Sequence, residues 1–223
     1  MTNELLLLTH IAVITGMVLL SFRLGAAALV AFMCSSTVIA NLFVLKQISI
    51  FGLDATGSDA YIIASILSFN LLHEFYGKSD AQKAIWISFL SLIFYTIVSQ
   101  FQIAYIACPA DTTQPHFVAL LTHMPRITLA SLGTYFFVQQ VDFFLYDWLR
   151  TRFSDGHLVL RNYIAIGLTQ ILDTVMFTYL GLYGIVERPV HIIAVSLMVK
   201  LGVMLLVTPI VGLARHWYKP VPR

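Results

Sequence analysis

The chain has 223 residues, 59% of them hydrophobic and 11% charged, with a net charge of +2 and a mean hydropathy of +0.85. Soluble domains carry about 25% charged residues, so this composition excludes an ordinary water-soluble fold and points to an integral membrane protein. The basic residues are scattered, which argues against nucleic-acid binding, and Cys34 and Cys108 have neither CxxC nor histidine spacing, which argues against a disulfide framework or a zinc site.

A helix needs about 20 residues to cross the ~30 Å hydrocarbon layer. Seven apolar segments approach that length, at 5–21, 25–46, 58–76, 84–107, 126–149, 161–185 and 190–214. The first follows an acidic MTNE start and is succeeded by six others, so it reads as a retained helix and not as a secretory signal. The third is the weakest, because Asn70, His73 and Glu74 crowd its end. Between the fourth and fifth, CPADTTQPHFVALLTHMP at 108–125 combines prolines with polar residues and predicts an ordered loop or interfacial turn. The expected fold is a single all-α transmembrane domain over 1–223: a six-helix core at 25–223 plus an additional N-terminal hydrophobic helix within 1–24.

If all seven segments cross, Lys46, Arg126 and Arg188 lie on one side and Arg23, Lys78, Lys83, Arg150, Arg152, Arg161, Arg215, Lys219 and Arg223 on the other. The richer side is cytoplasmic. This predicts a multi-pass protein of the inner (plasma) membrane with a cytoplasmic C-terminus, although Arg23 would stay inside even if 5–21 only lay along the surface. Trp148, Trp217 and Tyr218 in the basic flanks read as interfacial anchors.

Polar groups inside the apolar segments are costly, at about 2.5 to 3.5 kcal/mol for a charge at mid-membrane, and tend to mark a site or pathway. VQQVD at 138–142 and TQILD at 169–173 each set a glutamine three residues before an aspartate, so Gln139 with Asp142 and Gln170 with Asp173 each share a helix face. Both pairs can turn toward one cavity. Lys200, near the centre of the last segment, is too deep to snorkel and needs a carboxylate partner, Asp142 or Asp173. Asn70 and Glu74 share a face of the third segment, and Asn41 lies in the second. The plainer reading is that such amides join helices by hydrogen bonds, that Glu74 pairs with Lys78 one turn on, that Lys200 forms a structural ion pair, and that His10 and His73 pack.

Taken together, VIANLFVLK, NLLHEFYGKSDAQKAIW, RITLASLGTYFFVQQVDFFLYDWLR and RNYIAIGLTQILDTVMF resemble the queuosine precursor transporter family, also called the vitamin uptake transporter family, from about residue 25 onward. That resemblance implies a six-helix carrier importing 7-deazaguanines, the cyano or aminomethyl precursors of queuosine or the base queuine, with a fold similar to the substrate-binding subunits of energy-coupling-factor transporters. It maps the substrate site to Asn41, Asn70, Glu74, Gln139, Asp142, Gln170, Asp173 and Lys200. Many relatives carry an acid where this chain has Asn70, which puts the substrate preference in question.

The chemistry fits the ligand. A deazaguanine offers two adjacent donors that one carboxylate can accept together, and a carbonyl that wants an amide or ammonium donor. On this expectation Asp173 or Glu74 accepts the donor edge, Gln139 and Gln170 complete the ring perimeter, and Lys200 holds Asp142 ionised. Phe75, Phe136 or Phe177 could stack on the base. The expected partners are the small-molecule deazaguanine and the lipid bilayer, with no nucleic acid and room for a homodimer. No cofactor, metal or catalysis is expected. The competing readings are a substrate-binding membrane subunit that needs an energising partner and a membrane-embedded lipid-modifying enzyme.

Overall fold

The computed structural model describes residues 2–152 and 158–215. The anchors Trp217 and Tyr218 lie outside the described residues, and so does the side chain of Arg161. All seven apolar segments are helical: α1 (Asn3–Leu24), α2 (Ala26–Phe43), α3 (Asp59–Tyr76), α4 (Lys78–Ala104), α6 (Met124–Arg152), α7 (Leu158–Phe177) and α8 (Pro189–Arg215). A short α5 (Gln114–Leu121) lies within the 108–125 stretch, and α7 ends in a wider π turn, Thr178–Leu182. Three described helices, α1, α2 and α4, are long and apolar enough by length and composition to cross a membrane, and Pro189–Gly202 is a shorter apolar stretch.

The second segment was expected to stay helical to residue 46. Instead α2 stops at Phe43, and β1 (Gln47–Ile50) pairs antiparallel with β2 (Leu53–Thr56). Phe51 and Gly52 form the two-residue loop with φ of 51° and 75°. Two consecutive positive φ values are what a tight hairpin needs to match strand twist, and Gly52 supplies one without strain. The hairpin packs on α8 through Ile50, Ala55 and Val195.

Helix α1 is built into the bundle. Its first turn is tied to the hairpin, Asn3 donating to the Ser49 carbonyl at 2.8 Å and Glu4 Oε1 accepting from the Phe51 N–H at 2.8 Å. Further along, His10 sits edge-on to Tyr61 near the start of α3, and Phe22 packs on Phe75 and Tyr76 near its end. The two helices therefore run in the same direction side by side, and α1, at 1.5 Å per residue, is about 33 Å long. Ile14, Val18 and Phe22 join Leu29, Leu67, Leu71 and Ala84 in the main core.

Helix α4 meets that core with small residues. Ala81, Ala84, Ser88, Thr96 and Ser99 are its buried positions apart from Leu92, and such a stripe lets helix backbones approach closely where lipid offers no hydrophobic drive to association. Interhelical hydrogen bonds add specificity: Thr96 with Thr128 at 2.6 Å joins α4 to α6, and Thr37 with Ser65 at 3.3 Å joins α2 to α3.

Candidate functional site

A buried cation, Lys200, lies on α8. Ser196 and Lys200 are spaced i, i+4, so both lie on one helix face. The Lys200 ammonium donates to Asp173 Oδ2 at 2.7 Å and to Thr174 Oγ1 at 3.0 Å, both on α7. The Thr174 hydroxyl in turn donates to the Gln170 carbonyl at 2.8 Å. Donor and acceptor roles are thus consistent along the chain from ammonium to hydroxyl to carbonyl. The Lys200 side chain is 10% exposed and that of Asp173 is 34% exposed, so the acid keeps one edge open while the base is enclosed.

The expectation that Lys200 holds Asp142 is corrected here, because the ion pair is formed with Asp173. Asp142 stands on α6, partly buried. The reason is register: on α7, Asp173 and Thr174 both reach the ammonium, which draws α7 and α8 together around it.

A second polar pair lies one turn along α8 from Lys200. Ser196 donates to Asp59 Oδ1 at 2.7 Å, while Asp59 Oδ2, equally buried, has no hydrogen-bond partner. Asp59 is 2% exposed. Sequence reasoning missed this acid because an aspartate in the first turn of a helix ordinarily offsets the helix dipole in water. The hairpin that immediately precedes it was not foreseen either.

The remaining predicted residues are distributed over the bundle. Asn41 is buried and already engaged, donating to the Thr37 carbonyl at 2.8 Å and accepting from the Ser131 hydroxyl at 2.8 Å, which ties α2 to α6. Gln139 is exposed on α6 and lines a cleft of about 280 Å³ with Gln82, Ile85, Trp86, Tyr135 and Phe136. Trp86 and Phe136 lie 5.7 Å apart there, tilted by 41°. Gln170 and Asn70 are partly buried on α7 and α3, and Glu74 is exposed at the end of α3. The cleft that holds Gln139 is lined by none of Gln170, Asp173 and Lys200. Gln82 and Trp86 were not singled out from the sequence; an amide one turn before an indole on α4 is a signal that could have found them.

Of the three candidate stacking rings, Phe136 borders this cleft, Phe75 packs on Phe22, and Phe177 packs against the cluster around Leu182 and Ile192. His73 stacks on Phe69 at 6.1 Å and His10 meets Tyr61 edge-on, so both imidazoles make aromatic packing contacts. Cys34 is buried beside the Ser88 hydroxyl, 3.4 Å away, and Cys108 is exposed.

The family described as "Putative vitamin uptake transporter" matches residues 55–214. The chain belongs to this family. A Bacillus subtilis relative, "Probable queuosine precursor transporter", is 32% identical over 188 residues, covering 83% of this chain and 82% of the relative. No solved structure matches. The vitamin uptake transporter match takes in α3 to α8, with every predicted site residue except Asn41, and leaves α1 and α2 outside it. Membership of a transporter family, together with the apolar helices, makes the chain a multi-pass membrane transporter.

Proposed function

We propose that the chain imports queuosine precursors, 7-deazaguanines such as the aminomethyl or cyano compound or queuine, across the inner membrane. The observation that carries this reading is the 32% identity to a probable queuosine precursor transporter over most of both chains. The polar centre supports it. Asp173 pairs with Lys200 yet keeps one edge open, so its carboxylate is available to the adjacent donors of a guanine-like ring.

Gln170 and Asp142 complete the ring perimeter in this reading, and Asn70 and Glu74 line the approach. Apart from that centre, the cleft of Gln82, Trp86, Phe136 and Gln139 offers a planar base a second set of amides and rings. Asn41 acts at one remove, positioning α6 through Ser131. All seven long helices cross, six forming the core, with α1 crossing beside α3; the three-to-nine distribution of Lys and Arg puts the C-terminus in the cytoplasm.

Uptake of labelled deazaguanine in cells lacking their own importer tests the reading. Native chain restores uptake, and Asp173→Asn and Gln139→Ala each lower it by roughly 10-fold or more, the consequence of losing one charge-assisted or buried polar contact. Well-expressed native protein without uptake, or full uptake in both variants, defeats it.

A further inference from the structure

Among the described residues, Asp59 Oδ2 is the only carboxylate oxygen that is buried without a hydrogen-bond partner. The ammonium of Lys200, one turn along α8 from Ser196, is committed to Asp173 at 2.7 Å and Thr174 at 3.0 Å. Two acids thus share one base, in surroundings where an unpaired charge costs several kcal/mol. Something must bind the spare oxygen.

Asp59 is 2% exposed and borders neither of the two described clefts, an enclosure that favours the smallest cation. A proton needs no room. The other titratable groups on the elements around it are engaged elsewhere or distant. On β2, Asp54 faces Arg188 at 3.8 Å and His191 at 3.7 Å. On α1, His10 lies against Tyr61. Helix α2 carries no charged residue, and Lys78, Asp80 and Lys83 of α4 sit at the opposite end of α3.

We propose that Asp59 is the proton-binding carboxyl of this carrier, taking a proton from the outer side and releasing it inside with each substrate molecule. This rests on the importer reading above. An O–H bond forms at Oδ2 from outer water while Ser196 keeps donating to Oδ1; it breaks when the site opens inward, and the proton passes to inner water. No electrons are exchanged. With Asp59 neutral, Lys200 is drawn to Asp173 alone and clamps α7 to α8; with Asp59 ionised, the ammonium is shared and the clamp loosens. Protonation and the open edge of Asp173 are coupled in this way through one lysine.

The test uses the full chain in proteoliposomes with labelled deazaguanine and a pH-sensitive dye in the lumen. An acid exterior accelerates native uptake and drives accumulation, a protonophore abolishes both, and the lumen acidifies in step with uptake. Asp59→Asn, fixed in the neutral form, still exchanges labelled for unlabelled substrate but loses gradient-driven accumulation by at least 10-fold. Ser196→Ala keeps accumulation and moves its pH midpoint, which provides a readout if Asp59→Asn fails to fold. Native uptake indifferent to the gradient, accumulation retained by Asp59→Asn, or exchange abolished in that variant because the acid contacts substrate, each overturns the proposal. Absence of exchange by the native chain defeats the importer reading instead.

Discussion

Lys200 is the residue on which most of the buried electrostatics turns. Its ammonium is enclosed, and removing it leaves Asp173 and Asp59 without a counter-charge, whereas removing both members of the Lys200–Asp173 pair leaves a smaller deficit. Lys200→Met is predicted to destabilise the protein by about 1 to 3 kcal/mol, below the cost of breaking a fully buried pair because Asp173 is partly exposed. A double-mutant cycle with Asp173→Asn checks this: the double variant recovers stability relative to Lys200→Met, and strict additivity would show that the two groups do not interact. The sequence identified the lysine and both aspartates from their cost in hydrocarbon but settled the lysine on Asp142, where the structure pairs it with Asp173, because that choice depends on how α7 rotates against α8. Asp59 escaped for a different reason. It follows directly on a hairpin whose strands, QISI and LDAT, are too short for a periodic signal.

At the scale of elements, long apolar runs were legible because about 20 apolar residues have few other stable arrangements, and all seven became helices. Their ends were less legible. The hairpin needed Phe51 and Gly52 to be read as a turn, and α5 is hidden in a stretch whose prolines suggested only a loop. Asp111 shapes that stretch: Thr113 donates to its Oδ1 through both hydroxyl, at 2.6 Å, and backbone N–H, at 2.7 Å, and these bonds, the hydroxyl foremost, hold its carboxyl below the ordinary value. A depressed folded pKa contributes order that is present above the unfolded pKa and lost as pH falls through the folded one. The Thr113 amide resonance is therefore predicted to titrate below the normal aspartate range, and to lose that pH dependence in Asp111→Asn. An unchanged profile in the variant would contradict the assignment. Gly77 joins α3 to α4 with φ 95° and ψ 164°, a conformation that side chains disfavour, although a methyl there would meet nothing within 4 Å. Gly77→Ala is predicted to cost about 1 to 3 kcal/mol through backbone strain alone, read as a lower thermal midpoint in detergent.

For the whole molecule, the distribution of Lys and Arg and the packing of α1 beside α3 make a joint prediction. The start of α1, the hairpin and the 105–123 stretch lie outside, and the ends of α3 and α6 inside. A membrane-impermeant maleimide should label Cys108 in intact cells, while the buried Cys34 stays unreactive. Labelling that requires permeabilisation would invert the topology. The central claim is that deazaguanine crosses through the polar centre built on Asp173 and Lys200. Its most direct test is substrate exchange by the purified chain in sealed vesicles. The account predicts exchange by the native protein and at least a 10-fold loss in an Asp173→Asn variant that retains the native thermal midpoint; undiminished exchange in that variant would contradict it.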